Sequence, residues 1–404
     1  MDTGRDDATA GESGPEPPGP FVEMASPTGT GARTPRFGTA REGVLLSWQR
    51  VPEADPTSDT EPQASVEVAR WDGEWTSPRR IVQRDDLFVN WADFPSVVEL
   101  DDGRLAAHWL QYNGPGTYAY QVRLSFSSDG GDTWSDPVLP HEDSTETEHG
   151  FVTLLPDGDG IEVFWLDGRA YAAGNSEMSF RHVRVGAPSD ARERPTVATN
   201  ETVLDERTCD CCQTAVVRAG SATVALYRGR SADEIRDIEV VSRVADRWSR
   251  PVSVHDDGWR IDACPVNGPS AAAHGDTVVA VWFTAAGDDP RVLVARSEDA
   301  GASVAAPRRG DEGGPIGRVA ALALSDGRIA LAWIENGNAG GGGARVRVRL
   351  LGRSGRLGPA TSVADVSTAR ASGFPVVAEH DGHLLVAWTD AESNRVRIFR
   401  GALN

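Results

Sequence analysis

Seven times along the chain a short apolar run ends on an aromatic residue. LLSW closes at Trp48, LAAHW at Trp109, EVFW at Trp165, VALY at Tyr227, VVAVW at Trp282, IALAW at Trp333 and LLVAW at Trp388. Each run is followed by a segment in which apolar and polar positions alternate, such as SVEVARW, YQVRLSFS and ARVRVRLL. Period-two alternation marks strands with one buried face. Several units then turn and continue through an aromatic residue shortly before proline, as in WTSP at 75–78, WSDP at 134–137 and WSRP at 248–251. A four-stranded unit repeated at this period predicts an all-β propeller of seven blades, with six as the alternative if one unit is an irregular insertion. The last unit stops at Asn404 one strand short, and FVEM at 21–24 supplies a strand that closes the last blade and covers its edge.

Ahead of that strand, MDTGRDDATAGESGPEPPGP is acidic and rich in Gly and Pro. Residues 1–20 therefore read as a disordered leader and 21–404 as the propeller. The leader lacks the basic and apolar regions of a signal peptide, as would a mature exported chain, and a periplasmic or secreted location is expected. No run of 18 apolar residues is present, so no membrane span is expected. The formal net charge of −20 argues against a nucleic-acid partner. All 40 basic residues are arginine.

Propeller topology sorts the polar residues by face. The loops leading into the innermost strands and those leaving the second strands share one mouth of the central channel. That mouth should gather Trp91, Asp93, His141, His149, Cys209, Cys211, Cys212, Trp259, Cys264, Asn267 and Arg318, together with Asp167, Arg169, Arg228 and Arg230. Each alone suits a structural brace or a core lid, and the concentration at one mouth is the functional signal. His108 reads as a packed histidine and His182 as a solvated one.

The four cysteines admit three readings. An even count in an exported chain suits two disulfides, with Cys212 or Cys211 joined to Cys264. Alternatively, Cys209, Cys211, Cys212 and Cys264 with His141 and His149 offer soft ligands to copper or zinc. A reactive thiol in the field of Arg228 and Arg230 is the third.

SSDGGDTW at 127–134 resembles the Asp box of sialidases and related BNR-repeat proteins, with Ser127, Asp129, Gly131, Thr133 and Trp134 in the defined places and a structural role. SEDAGASV at 297–304 is a weaker copy, with Val304 in place of the aromatic residue. NWADFPS, EHGFV, CDCCQT and CPVNGP resemble a bacterial exo-α-sialidase-like group over the whole propeller. The resemblance implies a glycoside hydrolase acting on an acidic sugar without a cofactor. It would have Asp93 or Asp167 as acid/base, a tyrosine nucleophile taken from Tyr112, Tyr118 or Tyr227, and Arg169, Arg228, Arg230 and Arg318 as the carboxylate clamp beside Trp91, His149 and Asn267. The chain departs from the family in lacking its early arginine motif and any tyrosine after Tyr227. Two other functions stay open: a non-catalytic glycan- or protein-binding propeller, and an extracytoplasmic metal or redox protein. In either sugar reading the expected ligand is small or glycan-like and anionic.

Overall fold

A computed structural model describes residues 14–53, 62–190, 193–198, 200–337 and 343–404. They form seven antiparallel sheets arranged as the blades of a propeller, with no α-helix among the described residues. Blade 1 runs from its inner strand Ala32–Gly38 through Val44–Arg50 and Ala64–Trp71 to Arg79–Arg84. Blade 2 comprises Ser96–Glu99, Leu105–Tyr112 and Tyr120–Ser127, its outer edge reduced to a bridge between Leu124 and Val138. The inner strands of blades 3 to 6 are His149–Asp157, Ala215–Ala219, Ser270–His274 and Pro315–Ala323.

Blade 7 is completed by the N-terminal strand. Val22–Met24 pairs antiparallel with Arg395–Ala402, Val22 opposite Arg400 and Met24 opposite Ile398. The closure ties the N-terminal strand to the last strand of the ring and covers the outer edge of Arg395–Ala402. Residues 1–13 of the expected leader lie outside the described residues. The remainder of it is in place against the ring: the Gly19 amide donates to the Ala402 carbonyl at 2.8 Å.

The repeated aromatic residues explain why the blades pack. Trp48, Trp165, Trp282, Trp333 and Trp388 are fully buried, as is Tyr227. Each fills the space between its own sheet and a neighbour, and truncating one to alanine costs about 3–5 kcal/mol. Trp165 and Trp333 donate their indole N–H groups to carboxylates two residues on, Asp167 at 2.8 Å and Glu335 at 3.0 Å.

On the face opposite the cysteines, the turn at 127–134 is held by side chains. Ser127 donates to Asp129 Oδ1 at 2.8 Å, and Asp129 receives the Thr133 amide and hydroxyl at 2.9 and 2.6 Å. Gly131, at φ 98°, has its amide on Ser127 Oγ and its carbonyl under the Trp134 indole. The turn at 297–303 reproduces this network through Ser297, Asp299, Gly301 and Ser303 without the aromatic residue.

Candidate functional site

At the opposite mouth, a cavity of about 530 Å³ is lined by Tyr118, Glu146, Glu148, Tyr171, Asp210, Cys211 and Cys264 among others. Its wall draws on blades 2 to 4 and the loop leading into blade 5. Glu148 precedes the inner strand of blade 3 and bridges in parallel to Tyr120, the first residue of the third strand of blade 2. That pairing sets the Tyr120 phenol between two carboxyl groups: Glu148 Oε1 and Asp93 Oδ2 each lie 2.8 Å from Tyr120 Oη. Asp93 also accepts the Phe151 amide at 2.8 Å. Gly150 is required here, since a Cβ at that position would collide with Asp93 Oδ2 and the Tyr120 ring.

A phenol has one hydrogen to donate. Both contacts are hydrogen bonds together only when one carboxyl group carries a proton and donates it to the phenol oxygen. Burial is the larger influence on each. It pushes Asp93 up to about 7 against the lowering pull of Tyr120 and the Phe151 amide. It pushes Glu148 up to about 8, again against Tyr120 and with the charge of Asp93 adding to the rise. Asp93, with a backbone donor on its other oxygen, is the better carboxylate, and Glu148 is the better acid. The result is a chain from the cavity inward: Glu148 carboxyl, Tyr120 hydroxyl, Asp93 carboxylate, Phe151 amide. The proton is shared by the group as a whole.

Next to it lies a cluster in the opposite electrostatic condition. Asp167 ends the second strand of blade 3, paired in register with His149. It is gripped bidentately by Arg169, both contacts at 2.7 Å, and receives the Trp165 indole. Burial raises the Asp167 carboxyl, but the Arg169 hydrogen bonds and the neighbouring charges outweigh it and hold the group at about 2. Arg169 and Arg181 also share Glu201 at 2.8 and 3.2 Å. His149 sits beneath, its Nε2 2.9 Å from Asp143, with His141 stacked on it at 4.5 Å. Burial, and then the adjacent His149, hold His141 down at about 3.

The other arginines expected to clamp a substrate carboxylate have partners inside the protein. Arg228 is buried, donating to the carbonyls of Asn267 at 2.9 Å and Phe283 at 2.7 Å with its guanidinium over Trp259. Arg230 grips Glu234 and reaches the Ser176 carbonyl. Arg318 donates to the carbonyls of Ala369 and Gly373 and stacks over Trp91, while its amide is taken by Asn267 Oδ1. Arg207, Arg230 and Arg236 converge instead on Glu234. Tyr227 is buried and donates to Asp205 at 2.7 Å, away from the cavity wall. His182 is buried beside Glu162 at 2.9 Å rather than solvated, because the third strand of blade 3 is covered by Trp248. His108 is packed, bonded to Ser96 and the Phe94 carbonyl.

The cysteine pairing is resolved in favour of Cys211 with Cys264, which form a disulfide with Cα atoms 6.0 Å apart. The expected second bridge is absent. Cys209 and Cys212 are buried thiols with Sγ atoms 2.7 Å apart, and Cys209 Sγ lies 3.8 Å from Cys211 Sγ. Arg236 Nη1 approaches Cys209 Sγ at 3.5 Å. Burial raises the Cys209 thiol, but the Cys212 hydrogen bond, the Cys211 amide and the charges of Arg228 and Arg236 outweigh it and bring it below the usual thiol range. Burial pushes Cys212 the other way. Among the described residues no histidine shares a metal-sized cluster with these sulfurs, so His141 and His149 do not complete a ligand set with them.

No protein family matches the chain, and no curated protein does. Solved structures do. A protein of unknown function from Dyadobacter fermentans is 16% identical, with a TM-score of 0.53, over 96% of this chain and 99% of that one. The polysaccharide lyase Uly1 is 10% identical, also with a TM-score of 0.53, over 94% and 92%. The NanB sialidase from Streptococcus pneumoniae is 13% identical, with a TM-score of 0.45, over 95% and 70%. At these identities what the first two share with the chain is the propeller fold.

Proposed function

We propose that the chain is a glycan-active propeller in which Glu148 acts as the acid/base residue of the cavity. The observation that carries this is the Tyr120 phenol placed 2.8 Å from each of two buried carboxyl groups, which share one proton across it. A general acid works best when its pKa lies close to the operating pH. Glu148 meets that condition and faces the cavity, where it would protonate the leaving-group oxygen of a bound glycoside. Tyr120 and Asp93 would adjust its hydrogen bonding as the proton leaves. Asp210, on the same wall, is the second carboxylate that hydrolysis by a pair of carboxyl groups needs.

The substrate reading narrows with the arginines. An acidic sugar would have to draw Arg230 or Arg236 away from Glu234, whereas a polyhydroxy sugar can be recognised by Glu146, Asp210 and Tyr118 as they stand. We place the protein outside the cytoplasm, where a disulfide such as Cys211–Cys264 persists. The test is a panel of neutral, uronic-acid and sialic-acid glycosides assayed with the wild type and Glu148→Gln. Turnover of a neutral glycoside, lost in the variant, is the expected result. Preference for the sialoside would restore the acidic-sugar reading. Turnover undiminished in Glu148→Gln would remove the acid/base assignment.

A further inference from the structure

The sulfur cluster is not needed for the chemistry assigned to Glu148, yet its geometry is specific. Cys209 and Cys212 form a C-x-x-C pair whose Sγ atoms lie 2.7 Å apart, closer than unbonded sulfurs pack, and Cys209 Sγ lies 3.8 Å from Cys211 Sγ of the neighbouring disulfide. A guanidinium stands at the same sulfur. The far partner of that disulfide, Cys264, is exposed and lines the cavity with Cys211.

We infer that the four cysteines form an internal thiol–disulfide relay that moves a dithiol between the buried pair Cys209/Cys212 and the cavity pair Cys211/Cys264. In the first step the Cys209 thiolate bonds to Cys211 Sγ, the Cys211–Cys264 bond breaks, and Cys264 leaves as a thiolate that takes up the proton Cys209 gave away. In the second step Cys212 bonds to Cys209 Sγ, the Cys209–Cys211 bond breaks, and Cys211 leaves carrying the proton from Cys212. One disulfide and two thiols become one disulfide and two thiols, so no outside oxidant or reductant enters. Exchange of this kind needs a thiolate at the attacking sulfur and access to the sulfur attacked: Arg236 beside Cys209 Sγ favours the thiolate there, and Cys211 Sγ lies 3.8 Å away. The buried pair is thereby readable at the surface: after exchange, two thiols stand beside Asp210 on the cavity wall, open to a disulfide-bearing or thiol-reactive ligand. The relay is independent of the glycan reading and would stand if no glycoside were turned over.

The experiment alkylates the native full-length protein with iodoacetamide at pH 8, then maps modified and bridged cysteines by mass spectrometry without reduction. In the wild type Cys264 should become modified over time while a Cys209–Cys212 or Cys209–Cys211 bridge appears. Cys209→Ser should reduce Cys264 modification by about tenfold or more and leave Cys211–Cys264 intact, which also shows that the variant has folded. Cys212→Ser should trap the Cys209–Cys211 bridge with Cys264 modified. Three outcomes would overturn the relay: Cys264 unmodified in the wild type throughout, a Cys209–Cys212 bridge in untreated protein alongside an intact Cys211–Cys264 bridge, or all four thiols reduced around one equivalent of zinc or copper.

Discussion

Asp93 and Asp167 lie at the same mouth, on neighbouring blades, at 2% and 0% exposure, and are in opposite chemical states. Asp167 has a guanidinium two residues along the chain, folded back onto both its oxygens, and burial is overcome by that charge. Asp93 has a phenol and a backbone amide but no cation, and burial prevails. What separates a bracing carboxylate from a reactive one here is therefore the neighbour, not the depth. The Asp167 cluster fixes the wall of blade 3. The Asp93–Tyr120–Glu148 chain keeps a mobile proton at neutral pH, and the cavity opens on that chain.

The comparison breaks most visibly on stability. Asp167→Ala removes the partner of a half-buried Arg169 and orphans the Trp165 indole, and should cost about 3–5 kcal/mol in urea unfolding. Asp93→Asn, which keeps an acceptor for the Phe151 amide, should cost less than about 1 kcal/mol by the same measurement. Equal losses would mean that Asp93 is also a brace. Activity should reverse the order: Glu148→Gln is expected to lower turnover of a responsive glycoside by about 10²- to 10⁴-fold with little change in unfolding midpoint.

Acidity offers a finer cut. Asp93 and Glu148 have folded values of about 7 and about 8, above the value of about 4 expected for an unfolded carboxyl group. Their contribution to stability is complete below pH 4 and is lost as pH rises through 7 to 8. Asp167, held at about 2, behaves oppositely: its contribution is present above pH 4 and lost as pH falls through 2. Unfolding midpoints should thus fall between pH 5 and 9 in the wild type, and less steeply in the Asp93→Asn/Glu148→Gln double variant. An unchanged slope would place the shared proton elsewhere. The smallest effect on activity belongs to the far face, where Asp129→Ala should cost about 1 kcal/mol in unfolding, since its turn is exposed, and leave turnover as it was.

Blade number, strand order and ring closure were legible in the sequence because they rest on local periodicity. An apolar run ending at Trp48 or Trp388 reports its own burial, and Val22–Met24 is the strand that the last repeat lacks. The turns at 127–134 and 297–303 were legible for the same reason, since their bonds join residues at most four positions apart. The mouth was legible as a face and Asp93 as a member of it, but its chemistry was not. Tyr120 was hidden inside an alternating strand. It meets Asp93 across 27 positions and Glu148 across 28, through a contact between blades 2 and 3 that no local pattern encodes. The arginines looked like a clamp because their type and position suited one; only the fold showed Arg228 turned onto backbone carbonyls and Arg230 onto Glu234. Among three cysteines in four positions, the choice of Cys211 for Cys264 depends on which side chain the loop turns toward the next blade. The order of residues determined which of them could meet at this mouth, while burial and distance, which exist only once the ring has closed, decided which carboxyl groups keep their protons and which sulfurs come together.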